Sequence, residues 1–208
     1  MMDTEEKEII RTRLRLLDLV KSFYLEEPDS EKMGRWRGTF SALTKETVNG
    51  DFDRGAREIL ACLQERSLEE LKEEYYKLFT DPFTDKGLCL EASFYLDGRS
   101  HDKTLVELRT LLAQAGIEKS EGVYATEDSL GVMLDLLARL IEEDARSAEK
   151  SRGKYQEELL NGYLIPFSKK LVDAAIENEF ACFYEACSRF FCGYLELEKG
   201  LTGTVAYS

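Results

Sequence analysis

Apolar residues recur at helical spacing along almost the entire chain, and this regularity is the strongest constraint on its fold. Only three prolines interrupt the 208 residues, and no two-residue hairpin turn separates segments of alternating polarity. The clearest stripe occupies 127–143, where positions i, i+3 and i+4 are Leu130, Met133 and Leu134. We therefore predict an all-α fold for residues 1–208, built as a single helical-bundle domain of about eight to ten helices.

The same spacing places the individual helices. We predict them at 4–25, through Trp36 and Phe40, and at 51–64, 68–79, 101–115, 127–143, 154–178 and 178–197. The 154–178 segment is expected to be interrupted at Asn161-Gly162 and at Pro166. Ser67 is the predicted N-cap of the 68–79 helix. The segment 80–99 is expected to be irregular, 145–153 is a possible hinge, and the tail after Gly200 is expected to be loosely held. The acidic residues expected to face water on the 68–79 helix are Glu69, Glu70, Glu73 and Glu74.

The acidic balance of the chain limits its partners. Asp and Glu number 41 against 28 Lys and Arg, giving a formal charge of −13, so we expect no nucleic acid partner. A basic partner would be attracted, although many helical proteins carry such a charge without binding one. The start, MMDTEEKEII, is acidic where a secretory signal is basic, and no window approaches the ~20 apolar residues of a membrane span. We expect a cytoplasmic protein without stable membrane insertion.

Groups that carry catalysis or bind metals are scarce in the sequence. His101 is its one histidine, whereas zinc sites and histidine-based triads need these groups at defined spacings. No phosphate-binding glycine motif occurs, and the five cysteines form no CxxC pair. We therefore predict that the chain is not an enzyme and has no catalytic residue, metal site or cofactor. The cysteines are interpreted as buried free thiols.

The segment 74–95 is the most informative part of the sequence. Its helical portion places Tyr75 and Phe79 one turn apart on a shared face and ends at Asp81-Pro82. Large apolar residues then continue from Phe83 to Tyr95 without helical spacing, where some should stay partly exposed. Ordinary core packing would explain part of this pattern, and an apolar ledge that binds another polypeptide would explain the rest.

A second constellation is Thr126-Glu127-Asp128-Ser129, at the start of the predicted 127–143 helix. Acidic side chains in a first turn stabilise a helix by about 0.3–1 kcal/mol through its dipole, which is a purely structural interpretation. The functional interpretation is that Asp128 points from the helix end into a groove and pairs with a basic group of a ligand.

Taken in order, these features resemble the TorD/DmsD/NarJ family of cytoplasmic chaperones dedicated to molybdenum-cofactor oxidoreductases. The family pattern is an aromatic-x-x-Leu-Phe-x-Gly-Pro segment, a Ser-x-aromatic motif, a Pro-x-Asp-His motif that opens a helix, and a last helix beginning Phe-Tyr. The matching residues cover about 70–197 and are Tyr75, Leu78, Phe79, Pro82, Ser93, Tyr95, Asp128, Phe183 and Tyr184.

This chain departs from the family pattern at several of these motifs. Asp81 replaces the glycine before the proline, and Cys89-Leu90 replaces the prolines that precede the Ser-x-aromatic motif. Thr126 and Ser129 replace the proline and the histidine of the third motif, so Asp128 alone is kept there.

The resemblance implies a chaperone that binds the twin-arginine signal peptide of an oxidoreductase catalytic subunit, the cofactor-free subunit itself, or both. It would hold that subunit until the molybdopterin cofactor is inserted, before export or assembly. A twin-arginine leader joins a basic region to an apolar one, which suits an acidic surface beside an apolar ledge; Asp128 and Asp81 are the candidate partners of the arginines. The residues assigned to peptide binding are Tyr75, Leu78, Phe79, Asp81, Pro82, Ser93, Tyr95, Asp128 and Ser129.

Two other function classes stay open at this point. A helical adaptor or regulatory protein could bind an amphipathic peptide of a different partner through the same ledge. An enzyme with a carboxylate-based site or a bound nucleotide is the third hypothesis. Either a monomer or a homodimer is compatible with the sequence.

Overall fold

The all-α prediction is confirmed by a computed structural model that describes residues 4–119, 122, 124–146 and 152–205, the side chains of 203–205 excepted. These residues contain no β-strand, only an isolated bridge between Glu91 and Ser129. The α-helices are α1 (Thr4–Tyr24), α2 (Ser30–Leu43), α3 (Gly50–Glu65), α4 (Leu68–Tyr75), α5 (Ala92–Leu96), α6 (Lys103–Gln114), α7 (Leu130–Arg146), α8 (Gly153–Leu159), α9 (Ile165–Glu177) and α10 (Phe183–Val205).

Two of these helices continue into wider, π-helical turns. One follows α4 at Tyr76–Thr80, and the other follows α8 at Leu160–Leu164. The amide of Asp81 donates to the carbonyl of Tyr76 at 2.8 Å, so the first wide turn closes directly before the proline. The predicted 68–79 helix therefore exists, but its last turn has π rather than α geometry.

Local capping explains where several helices begin. Ser67 caps α4 as predicted: its hydroxyl accepts from the amide of Glu70 at 3.2 Å, and Glu70 Oε2 accepts from the amide of Ser67 at 2.8 Å. Asn49 caps α3 through the amide of Phe52 at 2.9 Å. Gly116 follows α6 with a φ of +64°, a conformation that glycine adopts without a steric cost.

Three predicted boundaries are wrong. The segment 80–99 is not wholly irregular, because α5 lies within it. The helix predicted at 127–143 begins at Leu130, because the bridge between Glu91 and Ser129 holds the preceding residues outside the helix. The last helix starts at Phe183 rather than 178 and continues past Gly200. Of the possible hinge at 145–153, residues 147–151 lie outside the described residues.

The described residues divide into two compact units. The second unit comprises 20–89 and 168–194, and its core is aromatic. A Cβ on Gly55 would lie 2.5 Å from the backbone nitrogen of Phe190, and one on Gly193 would lie 2.4 Å from that of Phe52, so glycine allows α3 and α10 to approach closely. The aromatic side chains buried in this unit are Phe23, Tyr24, Trp36, Phe40, Phe52, Phe183, Tyr184, Phe190, Phe191 and Tyr194.

The first unit comprises 4–19, 90–167 and 195–205, with the gaps given above. Within it α5 contacts α6 and α7 contacts α8, and aliphatic side chains of α6 and α7 are buried. Arg13 bonds the buried carboxylate of Glu198 at 2.7 Å and the side chain of Gln156 at 3.0 Å. Aliphatic side chains therefore dominate the interior of this unit, and an arginine neutralises the buried carboxylate of Glu198.

None of the helices in the described part of the chain is both long enough and apolar enough to cross a bilayer.

Candidate functional site

The residues predicted to bind a peptide fall into both units. Those of the first unit are Ser93, Tyr95, Asp128 and Ser129, and those of the second unit are Tyr75, Leu78, Phe79, Asp81 and Pro82.

Two of the predicted motifs meet through the backbone in the first unit. The amide of Ala92 donates to the carbonyl of Asp128 at 2.9 Å, and the amide of Leu130 donates to the carbonyl of Leu90 at 2.8 Å. This short antiparallel pairing brings the start of α5, with Ser93, to the turn that precedes α7. The Ser-x-aromatic motif therefore packs against the Asp128 motif. We call residues 126–129 the Asp128 turn.

The Asp128 carboxylate lies inside the protein and not at an open groove. Its Oδ2 atom accepts from the amide of Ser93 at 3.1 Å and also from the Ser93 hydroxyl, and the residue has no exposed surface. Its Oδ1 atom is covered but has no hydrogen-bond partner among the described residues. An acceptor buried in this way costs about 1–3 kcal/mol, and more when it carries charge.

Two hydroxyls of the same turn share this property. Thr126 Oγ1 and Ser129 Oγ are also covered and have no hydrogen-bond partner among the described residues. The amide of Ser129 donates to the carbonyl of Thr126 at 3.0 Å, so the three side-chain oxygens belong to one tight turn. The turn therefore concentrates acceptor groups that the described protein does not satisfy.

The neighbouring glutamate is different. Glu127 forms ion pairs with Arg109 at 3.0 Å and with Lys119 at 3.6 Å. These three residues line a cleft of about 420 Å³ next to the C-terminal end of α6. No comparable cation contacts Asp128 among the described residues, so its charge is the one that lacks compensation. Both acids precede Leu130, so neither lies within the first turn of α7.

Ser93 is supported by residues that the sequence did not single out. Its hydroxyl accepts from the amide of His101 at 2.9 Å, and the imidazole of His101 lies 3.4 Å from the carboxylate of Glu91. His101 has a φ of +62°, which is uncommon for a residue other than glycine. The sequence gives no indication of this backbone role, because a single histidine after Gly98 belongs to no periodic pattern.

Tyr95 occupies the exposed side of α5. Its ring lies 5.0 Å from that of Phe94, in an edge-on arrangement, and 5.7 Å from that of Phe167. Phe94 is nearly half exposed, whereas Ser93, on the side of α5 that faces the Asp128 turn, is fully buried. The Ser-x-aromatic motif thus combines one buried anchor with two accessible rings.

In the second unit, Tyr75 and Phe79 do share a face, as the spacing predicts. Their ring centroids are 5.2 Å apart, and the Phe79 ring meets Tyr184 edge-on at 4.9 Å. Both residues are only partly covered, whereas Leu78 is 1% exposed and belongs to the core. Tyr75 and Phe79 are therefore accessible to a partner, and Leu78 supports them from inside.

The turn after this helix is exposed. Asp81 Oδ1 accepts from the amide of Phe83 at 3.0 Å, which folds the chain back over Pro82. The Phe83 side chain is 92% exposed, an unusual position for a large apolar group. A further contact anchors the other side of this loop: the amide of Leu88 donates to the carbonyl of Leu78 at 2.9 Å.

Glu74 does not face water, contrary to the sequence expectation. It occupies the position between Leu71 and Leu78 on the buried face of α4. Its Oε1 atom accepts the amides of Cys182 at 2.8 Å and Tyr184 at 2.9 Å, and its Oε2 atom lies 3.1 Å from Arg66. The carboxylate therefore caps the start of α10. Burial raises the pKa of Glu74 above its ordinary value, despite these hydrogen bonds.

Comparison with known proteins gives one family. The sequence matches the family model described as nitrate reductase delta subunit over residues 47–173, which is more than half of the chain and includes all nine predicted peptide-binding residues. A search of curated proteins finds no match. The motifs in 74–95 and the Asp128 turn both lie inside the matched region, in agreement with the resemblance seen in the sequence. The chain belongs to the nitrate reductase delta subunit family, whose members are assembly chaperones of molybdoenzymes.

Proposed function

We propose that this protein is a cytoplasmic maturation chaperone that binds the twin-arginine signal peptide of a molybdopterin oxidoreductase catalytic subunit, the cofactor-free subunit, or both. It holds that subunit for cofactor insertion before export or assembly. Family membership supports the general role. The more specific proposal, that an arginine of the peptide is recognised, rests on the Asp128 turn.

The unsatisfied oxygens of this turn are the observation that carries the proposal. Thr126, Asp128 and Ser129 each present a covered oxygen without a donor among the described residues. A guanidinium has five N–H donors in a planar fork and no acceptor, so it suits a group of acceptors around one carboxylate. One N–H would bond the Asp128 Oδ1 atom, and others would bond the hydroxyl oxygens beside it.

Charge favours the same ligand. Asp128 is the acid of this turn that no described cation neutralises, whereas Glu127 already has Arg109 and Lys119. A buried carboxylate gains most from a partner that brings both charge and hydrogen bonds. Lysine would supply the charge but only a point-like group of three donors, so the proposal predicts a preference for arginine.

Binding requires the Asp128 turn to open. Asp128 has no exposed surface, but Thr126 and Ser129 are partly exposed, and Tyr124 just before them is 98% exposed. The chain on one side of the carboxylate is thus little covered. The free energy of opening lowers the observed affinity, and the contacts made with the arginine must exceed it.

The exposed turn of the second unit suits the apolar part of a signal peptide. Phe83 projects into solvent next to Pro82, and Tyr76 on the preceding π-helical turn is nearly half exposed. Two cations lie near the partly covered ring of Phe180, Lys77 at 5.0 Å and Lys86 at 5.8 Å from its centroid. Each of these lysines is paired with a carboxylate, Lys77 with Glu73 at 2.7 Å and Lys86 with Glu179. We therefore propose that this surface, taken by itself, binds apolar residues of the client.

Calorimetric titration with the leader of a candidate client tests the arginine contact. The experiment compares an Arg-Arg peptide with its Lys-Lys version on the wild type and on Asp128→Asn. We expect the variant to raise the Kd for the Arg-Arg peptide about tenfold and to bring the two peptides to similar affinities, because the carboxylate no longer distinguishes them.

Asp173→Asn is the matched control, because it removes one negative charge from an exposed position of α9. It should change the Kd by less than about twofold, since exposed charges act weakly. Equal effects of the two variants would contradict the Asp128 contact and leave only a general attraction to an acidic protein. Equal binding of Arg-Arg and Lys-Lys peptides by the wild type would instead favour the alternative function, a helical adaptor that binds an amphipathic peptide.

The apolar contact is tested separately with Phe83→Ser. This change should raise the Kd of peptides with an intact apolar region about tenfold. It should have little effect on a short Arg-Arg peptide that lacks that region. If no leader binds but the cofactor-free catalytic subunit does, recognition depends on the mature part of the client.

A further inference from the structure

Two cysteines that are 120 positions apart in the sequence meet in the second unit. Cys62 lies in the last turn of α3, and Cys182 directly precedes α10. Their sulfur atoms are 4.0 Å apart. A disulfide requires about 2.05 Å between sulfurs, so a change of about 2 Å in side-chain position would bring them to bonding distance.

The backbone on both sides of this contact is held in place. The amide of Cys182 donates to the Glu74 carboxylate at 2.8 Å, and the carbonyl of Cys62 accepts the amide of Arg66 at 2.9 Å. Arg66 in turn lies 3.1 Å from Glu74. The same carboxylate thus contacts the backbone of Cys182 and the side chain of Arg66, one turn after Cys62.

The two thiols differ in accessibility. Cys182 is exposed, so a small oxidant can reach it, whereas Cys62 is partly covered. Burial, followed by the proximity of Cys182, raises the pKa of Cys62 to about 12. Cys182 is therefore the thiol that reacts first with an external reagent, and Cys62 is placed to react second.

We propose that Cys62 and Cys182 form a reversible disulfide that fixes the start of α10 to the end of α3. The oxidant is a low-molecular-weight disulfide such as oxidised glutathione. The Cys182 thiolate attacks one of its sulfurs and releases one glutathione thiolate, which leaves a mixed disulfide. The Cys62 thiol then loses its proton to solvent or to a released glutathione thiolate. Its sulfur attacks the Cys182 sulfur and expels the second glutathione as a thiolate. The chain loses two protons and two electrons, and oxidised glutathione becomes two reduced molecules.

The link would act on the aromatic core of the second unit. Phe183 and Tyr184 follow Cys182 directly and are fully buried. Phe183 stacks on Trp36 at 5.5 Å, and Tyr184 meets Phe79 at 4.9 Å. A covalent bond before these residues closes a loop of 120 positions in the unfolded chain, so oxidation should raise the Tm and slow the release of α10.

The full-length protein, equilibrated in glutathione buffers of increasing oxidised fraction, provides the test. Remaining thiols are alkylated, and the disulfide is located by mass spectrometry. Trypsin leaves Cys182 and Cys187 on one peptide, so a second cleavage after Phe183 or Tyr184 is needed to separate them. We expect a Cys62–Cys182 linked peptide that forms reversibly and disappears on reduction, together with a higher Tm.

Three variants complete the test. Cys62→Ser and Cys182→Ser should each abolish the linked peptide and the Tm shift, whereas Cys89→Ser should keep both. The wild-type map decides the question even if a variant folds poorly. The proposal would be overturned if Cys62 and Cys182 both remained open to alkylation at every glutathione ratio. Accumulation of only the mixed disulfide on Cys182, or a link to another cysteine, would overturn it as well.

Discussion

The buried carboxylates of Glu74 in the second unit and Asp128 in the first are stabilised in different ways. Glu74 in the second unit accepts two backbone amides and pairs with Arg66. Asp128 in the first unit bonds only Ser93, through one of its oxygens, and has no cation among the described residues. A buried acid whose oxygens are all occupied stabilises the fold, whereas one with an unoccupied oxygen has capacity left for a ligand. Measurements on the two sites test this distinction.

Replacement of Glu74 by alanine should have the largest effect. The change leaves the amides of Cys182 and Tyr184 without an acceptor at the start of α10 and removes the partner of Arg66. We expect the free energy of unfolding to fall by about 3 kcal/mol, measured by urea denaturation. Glu73→Ala, on the exposed neighbour, is the control and should change it by less than about 0.5 kcal/mol. Similar losses for the two variants would show that Glu74 does not cap α10.

Ser93→Ala should have the next largest effect, in the first unit. The hydroxyl donates to Asp128 and accepts the amide of His101, so its loss removes one partner from each. We expect a destabilisation of about 2 kcal/mol in the same assay, against a negligible change for the exposed Ser100→Ala. A loss below about 0.5 kcal/mol would mean that the Ser93–Asp128 contact contributes little to joining α5 to the Asp128 turn.

The pH dependence of stability should distinguish the Glu74 site further. Burial raises its pKa above the ordinary 4.5, so the native state binds this proton more tightly than the unfolded state does. The contribution of Glu74 is then fully present below pH 4.5 and is lost as the pH rises through the higher folded-state pKa. Glu74→Gln cannot titrate. The wild type should therefore lose stability relative to this variant between pH 4.5 and neutrality. A relative gain with rising pH would show that the two amides and Arg66 outweigh burial.

The helices could be predicted from the sequence because their stabilisation is repetitive. The stripe of Leu130, Met133 and Leu134 marks α7 whatever it packs against, and Ser67 marks the start of α4 through contacts within one turn. Glu74 could not be predicted in its role. Its partners lie 108 and 110 positions away, and a glutamate among glutamates gives no sign that its position falls between two buried leucines.

Only part of the candidate site could be predicted from the sequence, for the same reason. Asp128 and Ser93 could be named from the family motifs, but the bond between them joins residues 35 positions apart. It depends on the backbone pairing at Glu91 and Ser129, which neither helical spacing nor turn chemistry signals. The cysteines show a similar limit. The sequence predicts buried thiols, but of the five cysteines only Cys187 is buried, and Cys182 is exposed directly before α10, next to Cys62.

Asp128→Asn should have the smallest effect on stability. The carbonyl oxygen of an asparagine can accept both bonds from Ser93. The substitution also removes a buried charge that no described cation neutralises. We therefore expect the free energy of unfolding to change by less than about 0.5 kcal/mol, or to rise, in the urea series used for Glu74. A loss as large as that of Glu74→Ala would show that the carboxylate charge is itself required by the fold. In that case Asp128 would join Glu74 as a structural acid, and weaker peptide binding by the variant could be attributed to damage to the first unit instead of to a lost arginine contact.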